Sequence, residues 1–171
     1  MRFALFSALA LSACTSIVPS TAMQLSGLSP TTADPADLAV DLTLPAGIDV
    51  SPGSALMLFS TTRSDTDETA AGTFALQRDG SVFKVNPADY AELRSLQATA
   101  RAWYAENADA TKGSLSITLS PCRLDAGPED DARVSVAVRM APDGAFLPLV
   151  RNGPLSAVTS EEQLRDMPDC P

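Results

Sequence analysis

Three cysteines and two clusters of carboxylates are the side chains of this chain best suited to chemistry. Cys14 ends the run Leu11-Ser12-Ala13-Cys14, behind a short apolar leader. A thiol there is a nucleophile at the end of an apolar segment, suited to covalent attachment of another group. Cys122 and Cys170 remain, an even pair without Cys-x-x-Cys spacing. In an exported chain such a pair reads as a disulfide, here one that pins the C-terminal tail to a strand end, in preference to redox or metal thiolates. Carboxylates gather at Asp65, Asp67 and Glu68, and again at Asp125, Glu129, Asp130 and Asp131. Loops of this kind offer oxygen ligands to calcium, or a carboxylate pair for acid–base hydrolysis. Neither has the spacing of a dedicated calcium loop, and charged loops are ordinarily solvated. No metal ligand and no catalytic residue is assigned to them.

The leader has its own logic. Met1-Arg2 supplies a positive start, and Phe3 to Leu11 is apolar apart from Ser7. That is the layout of an export signal, too short to span a bilayer as a stable helix. The run Leu11-Ser12-Ala13-Cys14 resembles the lipobox of bacterial lipoproteins: a large aliphatic residue, two small ones, then cysteine. The resemblance covers residues 1–14. It implies a diacylglyceryl thioether on Cys14, removal of residues 1–13 as a signal peptide, and acylation of the new amino terminus. Several acyl chains then form the anchor, each buried methylene adding ~0.8 kcal/mol. The resemblance also implies a place in the bacterial cell envelope, facing the periplasm. Thr15 stands where an Asp favours retention in the inner membrane, so it points to the outer membrane. The alternative is an ordinary secretory leader, cut after Ala22.

Composition excludes several classes. The chain has no histidine, so no imidazole serves as a general base, a zinc ligand or a member of a nucleophile–His pair. Its net charge is −9, with 12 basic and 21 acidic residues and no basic cluster, which argues against a nucleic-acid partner. Adhesion to anionic lipid by charge is disfavoured for the same reason, so the tie to the bilayer has to run through acylated Cys14. No motif calls for a cofactor.

The elements that position these groups follow from periodicity. Residues 14–35 are the lipidated cysteine and a flexible tether, rich in Ser, Thr and Pro. Within it Met23 to Leu28 is a short apolar stretch able to dock on the domain. Residues 36–171 form a single globular α+β domain. Leu38, Val40, Leu42 and Leu44 alternate with polar or small residues, as a half-buried strand does. Further strands are predicted over 55–60, 73–78, 81–85, 114–120, 133–140 and 145–151. Asp79-Gly80 marks a hairpin. Pro148 limits pairing and places the last strand at an edge or a bulge. Asn152-Gly153-Pro154 reads as a turn.

Asn86 as N-cap and Pro87 at the first helical position open a long amphipathic helix, about 87–107. Its apolar face carries Tyr90, Leu93, Leu96, Ala100, Trp103 and Tyr104. Ser160 with Gln163 forms a capping box for a short C-terminal helix. The expected architecture is an antiparallel sheet of about six to seven strands, the long helix packed on it and the short helix at the end. The functional expectation is a non-enzymatic interaction or accessory module of the bacterial envelope, with an envelope protein as partner. The alternative is a small hydrolase or ligand-binding protein that uses a carboxylate pair from the acidic loops.

Overall fold

Alternating apolar residues at seven places along the chain all turn to the same side of one antiparallel sheet. The computed structural model describes residues 30–142 and 144–171. The strands are β1 (Ala39–Thr43), β2 (Ile48–Val50), β3 (Leu56–Arg63), β4 (Glu68–Asp79), β5 (Val82–Val85), β6 (Thr111–Thr118), β7 (Pro121–Arg123), β8 (Arg133–Arg139) and β9 (Leu147–Pro154). Seven of them form a sheet in the order β6-β3-β4-β5-β1-β8-β9, and β2 pairs with β7 in a separate ribbon. The α+β architecture predicted from the sequence is the one observed.

Register carries a single apolar face around the sheet. Met57 and Phe59 stand opposite Ile117 and Leu115 on β6, and Phe74 stands opposite Met57. Leu76 faces Val85, Phe83 faces Val40, and Val40 faces Val138. Opposed residues of an antiparallel pair share a face, so these side chains line one surface. In the middle of the sheet they are fully buried: Met57 and Phe59 are 1% exposed and Phe74 is 2% exposed.

Asn86 accepts a hydrogen bond from Ala88 N–H and starts a single 3-10 turn at Pro87–Asp89. That turn leads into α1 (Tyr90–Glu106), which packs on the part of the apolar face made by β3, β4 and β6. Leu93 and Ala100 are wholly buried against Phe59 and Phe74. Gly72 on β4 permits this approach, since a Cβ there would lie 2.7 Å from a Leu96 methyl. Gln97 is also buried. Its side-chain amide donates to the carbonyls of Pro30 at 2.7 Å and Ala33 at 2.8 Å. Residues 30–35, which the sequence reading places in the tether, are thus part of the packed unit, and Pro35 is fully buried.

The C-terminal region departs from expectation in one respect. Asn152-Gly153-Pro154 is no turn but runs inside β9. Asn152 takes φ 47°, and its N–H donates to Ser135 Oγ at 2.9 Å beside a register shift between Val134 and Val136. The turn-type residues serve a bulge in an edge strand, which also accommodates Pro148. The capping box of Ser160 and Gln163 is formed and opens α2 (Glu161–Arg165). Among the described residues no helix is long and apolar enough to cross a membrane.

Candidate functional site

The apolar face is not filled along its whole length. α1 covers the β3–β4–β6 part, while the β2–β7 ribbon and the C-terminal segment are packed with a second cluster around Leu42, Val50, Phe83 and Val150. Between these lies a cavity of about 850 Å³. Leu115 and Ile117 from β6 line it, as do Val136 and Val138 from β8 and Leu149 from β9. Strands at both ends of the sheet contribute, so the sheet curls around the space without closing it. The inward residues tell the same story. Where Met57 and Phe59 are sealed, Leu115, Ile117, Val136 and Val138 are only half-buried.

Magnitudes decide what kind of space this is. A sealed void costs ~24 cal/mol per Å³, so one this large would cost ~20 kcal/mol. That exceeds the ~5–15 kcal/mol by which a domain is stable. The space therefore cannot be a closed packing defect, and it is open to solvent; Val158, one of the residues lining it, is 44% exposed. Its volume falls within the ~300–1,000 Å³ of small-molecule pockets.

Charged residues at its margin are engaged elsewhere. The Asp49 carboxylate accepts from Val50 N–H at 2.8 Å and from Arg78 Nη1 at 2.6 Å. Burial opposes ionisation of Asp49, but these two donors outweigh it and hold the carboxyl below its ordinary range. Arg139 donates through Nε to the Asp37 carbonyl at 3.3 Å, and its guanidinium lies 5.3 Å from the centre of the Phe146 ring. What the cavity offers a ligand is apolar contact.

The residues singled out in the sequence lie apart from it. Cys14 falls outside the described residues. Cys122 and Cys170 form a disulfide, with an S–S distance of 2.04 Å and a Cα–Cα distance of 4.9 Å. The tail is held beside β7 by Arg123 N–H donating to Pro168, Cys170 N–H donating to the Arg123 carbonyl, and the Arg123–Asp169 ion pair.

Asp65, Asp67 and Glu68 are exposed, and so are Asp125, Glu129, Asp130 and Asp131. Asp65 accepts from Arg63 Nε and Asn107 Nδ2, each at 2.9 Å, and Arg63 also pairs with Glu106. These hydrogen bonds, Arg63 first, pull the Asp65 carboxyl below its usual value. That is the behaviour of an ion-paired loop carboxylate. Among the described residues no group of three His, Cys, Asp or Glu side chains is arranged to hold a metal ion. Trp103 is half-buried, and Tyr104 is 37% exposed with its hydroxyl accepting from Gly113 N–H at 3.0 Å.

Compared with protein-family models, with curated proteins and with solved structures, the chain matches none. The site rests on its own geometry.

Period-two alternation over the strands predicted at 114–120 and 133–140 puts Leu115, Ile117, Val136 and Val138 on one face but does not disclose that they leave a gap. Periodicity reports which face a residue takes, and says nothing of whether the two ends of a curled sheet meet.

Proposed function

We propose that this chain is a lipid-anchored protein of the bacterial envelope whose folded domain is a non-enzymatic binding module for an apolar small molecule. The single observation behind the binding role is the 850 Å³ cavity bordered by half-buried Leu115, Ile117, Val136 and Val138. Natural interiors keep few voids larger than a water molecule, so an open apolar space of this size is supported best as a ligand site. The anchor reading is supported by the lipobox at Leu11 to Cys14, with Thr15 favouring the outer membrane. Tethering holds the domain near lipids and near an envelope protein partner, where modest affinity suffices. The carboxylate-pair alternative gains no comparable support, because its candidate residues stay exposed.

Two experiments test the two halves. Wild-type protein is expected in the membrane fraction with an acylated amino terminus, and Cys14→Ser in the soluble periplasmic fraction. Identical fractionation of the two defeats the anchor. A neutral apolar fluorophore is expected to bind one-to-one and saturably, and more weakly to Val138→Phe, whose larger side chain occupies the cavity. Equal binding by both proteins defeats the ligand site.

A further inference from the structure

Apolar contact decides how tightly the cavity holds a ligand; a polar group in its wall decides which ligand is held. Among the described residues that line it, Asp49, Thr118, Arg139, Thr159 and Gln163 have polar side chains. Asp49 is held by Val50 N–H and Arg78, and Arg139 by the Asp37 carbonyl and the Phe146 ring. Thr118 is exposed and stands opposite Leu56, on the other face of the sheet from Ile117 and Met57. Thr159 donates its hydroxyl proton to Gln163 Oε1 at 3.0 Å. That leaves the far end of the Gln163 amide.

The start of α2 fixes how this amide is turned. Ser160 N–H donates to Oε1 at 3.1 Å, and the Ser160 hydroxyl lies 3.2 Å from the same atom. A backbone N–H can only donate, so the atom it meets is the amide oxygen and the opposite end is the NH2. Among the described residues nothing accepts from Nε2. The segment that carries it is itself fixed: Leu155 and Met167 are buried on either side of α2, and the Cys122–Cys170 disulfide holds the chain beyond. Gln163 is exposed, so its two N–H donors stand where the cavity lining meets solvent.

Two features narrow the group these donors can take. Oε1 already meets three donors, so a head group that donates finds no acceptor there, whereas one that only accepts is matched. Glu161 and Glu162 on α2 and Asp166 at its C-cap outnumber Arg165, in a chain of net charge −9. An anion at this mouth is repelled, and a neutral acceptor is not.

We infer that the ligand is a neutral amphiphile, an apolar body bearing an ester carbonyl, whose oxygen accepts from Gln163 Nε2 at the mouth while the body lies against Leu115, Ile117, Val136 and Val138. This rests on the ligand-site reading and adds the head group to it.

Displacement of the neutral fluorophore from the full chain by methyl hexanoate, hexanoate and hexane tests the assignment. Gln163→Glu keeps an acceptor for Ser160 N–H, since Ser-x-x-Glu is itself a capping box, and removes both donors. Methyl hexanoate is expected to bind this variant at least about fivefold more weakly than the wild type, as for the loss of one neutral hydrogen bond. Hexane, which has no acceptor, is expected to bind both alike. Hexanoate is expected to bind the wild type more weakly than its methyl ester does, most clearly at low ionic strength. Undiminished binding of the ester to Gln163→Glu, or an equal loss for ester and hexane, overturns the inference. Tighter binding of hexanoate than of the ester overturns it too, by assigning the mouth to an anion. If hexane binds both proteins and the ester does not distinguish them, the ligand site stands and only the head group falls. If neither protein binds fluorophore, hexane or ester, the ligand site falls and the head group with it.

Discussion

The hydroxyl of Tyr104 on α1 accepts a hydrogen bond from the backbone N–H of Gly113 on β6. This contact ties the helix to the edge strand of the sheet. Leu93 and Ala100 seal Phe59 and Phe74, while Leu115 and Ile117 pack at the margin of that cluster and also line the cavity. A helix of this length covers only part of a seven-stranded curled sheet. The uncovered remainder is the site.

Gly72 sets how closely the helix approaches. In Gly72→Ala the new Cβ would fall 2.7 Å from Leu96 and 2.8 Å from Phe74, within a packed core. Overpacking of this kind costs ~1–3 kcal/mol. Chemical denaturation is expected to show that loss with an unchanged slope, and an equal midpoint for the two proteins would contradict the packing described.

The disulfide should contribute through the denatured chain. Cys122 and Cys170 are separated by 48 residues, and closing a loop of that length is worth ~4 kcal/mol in the chain-entropy account. The double variant Cys122→Ser/Cys170→Ser is expected to melt at a markedly lower temperature. Amides near Arg123 should also lose protection, because the tail is hydrogen-bonded there.

Acid should weaken the fold by a defined route. The carboxyls of Asp34, Asp49 and Asp65 all sit below their ordinary values: Asp34 chiefly through the Ala36 N–H, Asp49 through Val50 N–H and Arg78 against the cost of burial, Asp65 through Arg63. A carboxyl depressed in the folded state stabilises it fully above the unfolded value. That contribution is lost as pH falls through the folded one. Stability is therefore expected to be flat near neutrality and to decline below about pH 4. Asp49→Asn should show a shallower acid decline than the wild type, and an unchanged profile would remove Asp49 from the account.

Much of this fold was legible because its signals are local. Asn86-Pro87, Ser160 with Gln163, and the alternation through Val40 and Val136 each fix a backbone state within a few residues. The Cys122–Cys170 pairing follows from an even pair, without Cys-x-x-Cys spacing, in a chain with the layout of an exported one. Asn152-Gly153 was misread because residues that tolerate positive φ serve bulges as well as turns, and the choice depends on the strand alongside. β2 and β7 were missed because three residues carry no period. The cavity was illegible for a deeper reason. It depends on how far β6 stays from β8 and β9 across the curl, which no stretch of sequence encodes.

Calorimetric titration with linear primary alcohols of increasing length tests the central claim most directly, since an uncharged head leaves burial of the chain as the variable. The account predicts one-to-one binding that tightens about fourfold per methylene, equivalent to ~0.8 kcal/mol, until the cavity is full. It also predicts a negative heat-capacity change and an earlier plateau in Val138→Phe. Affinity that does not depend on chain length, or the same plateau in Val138→Phe, would contradict it.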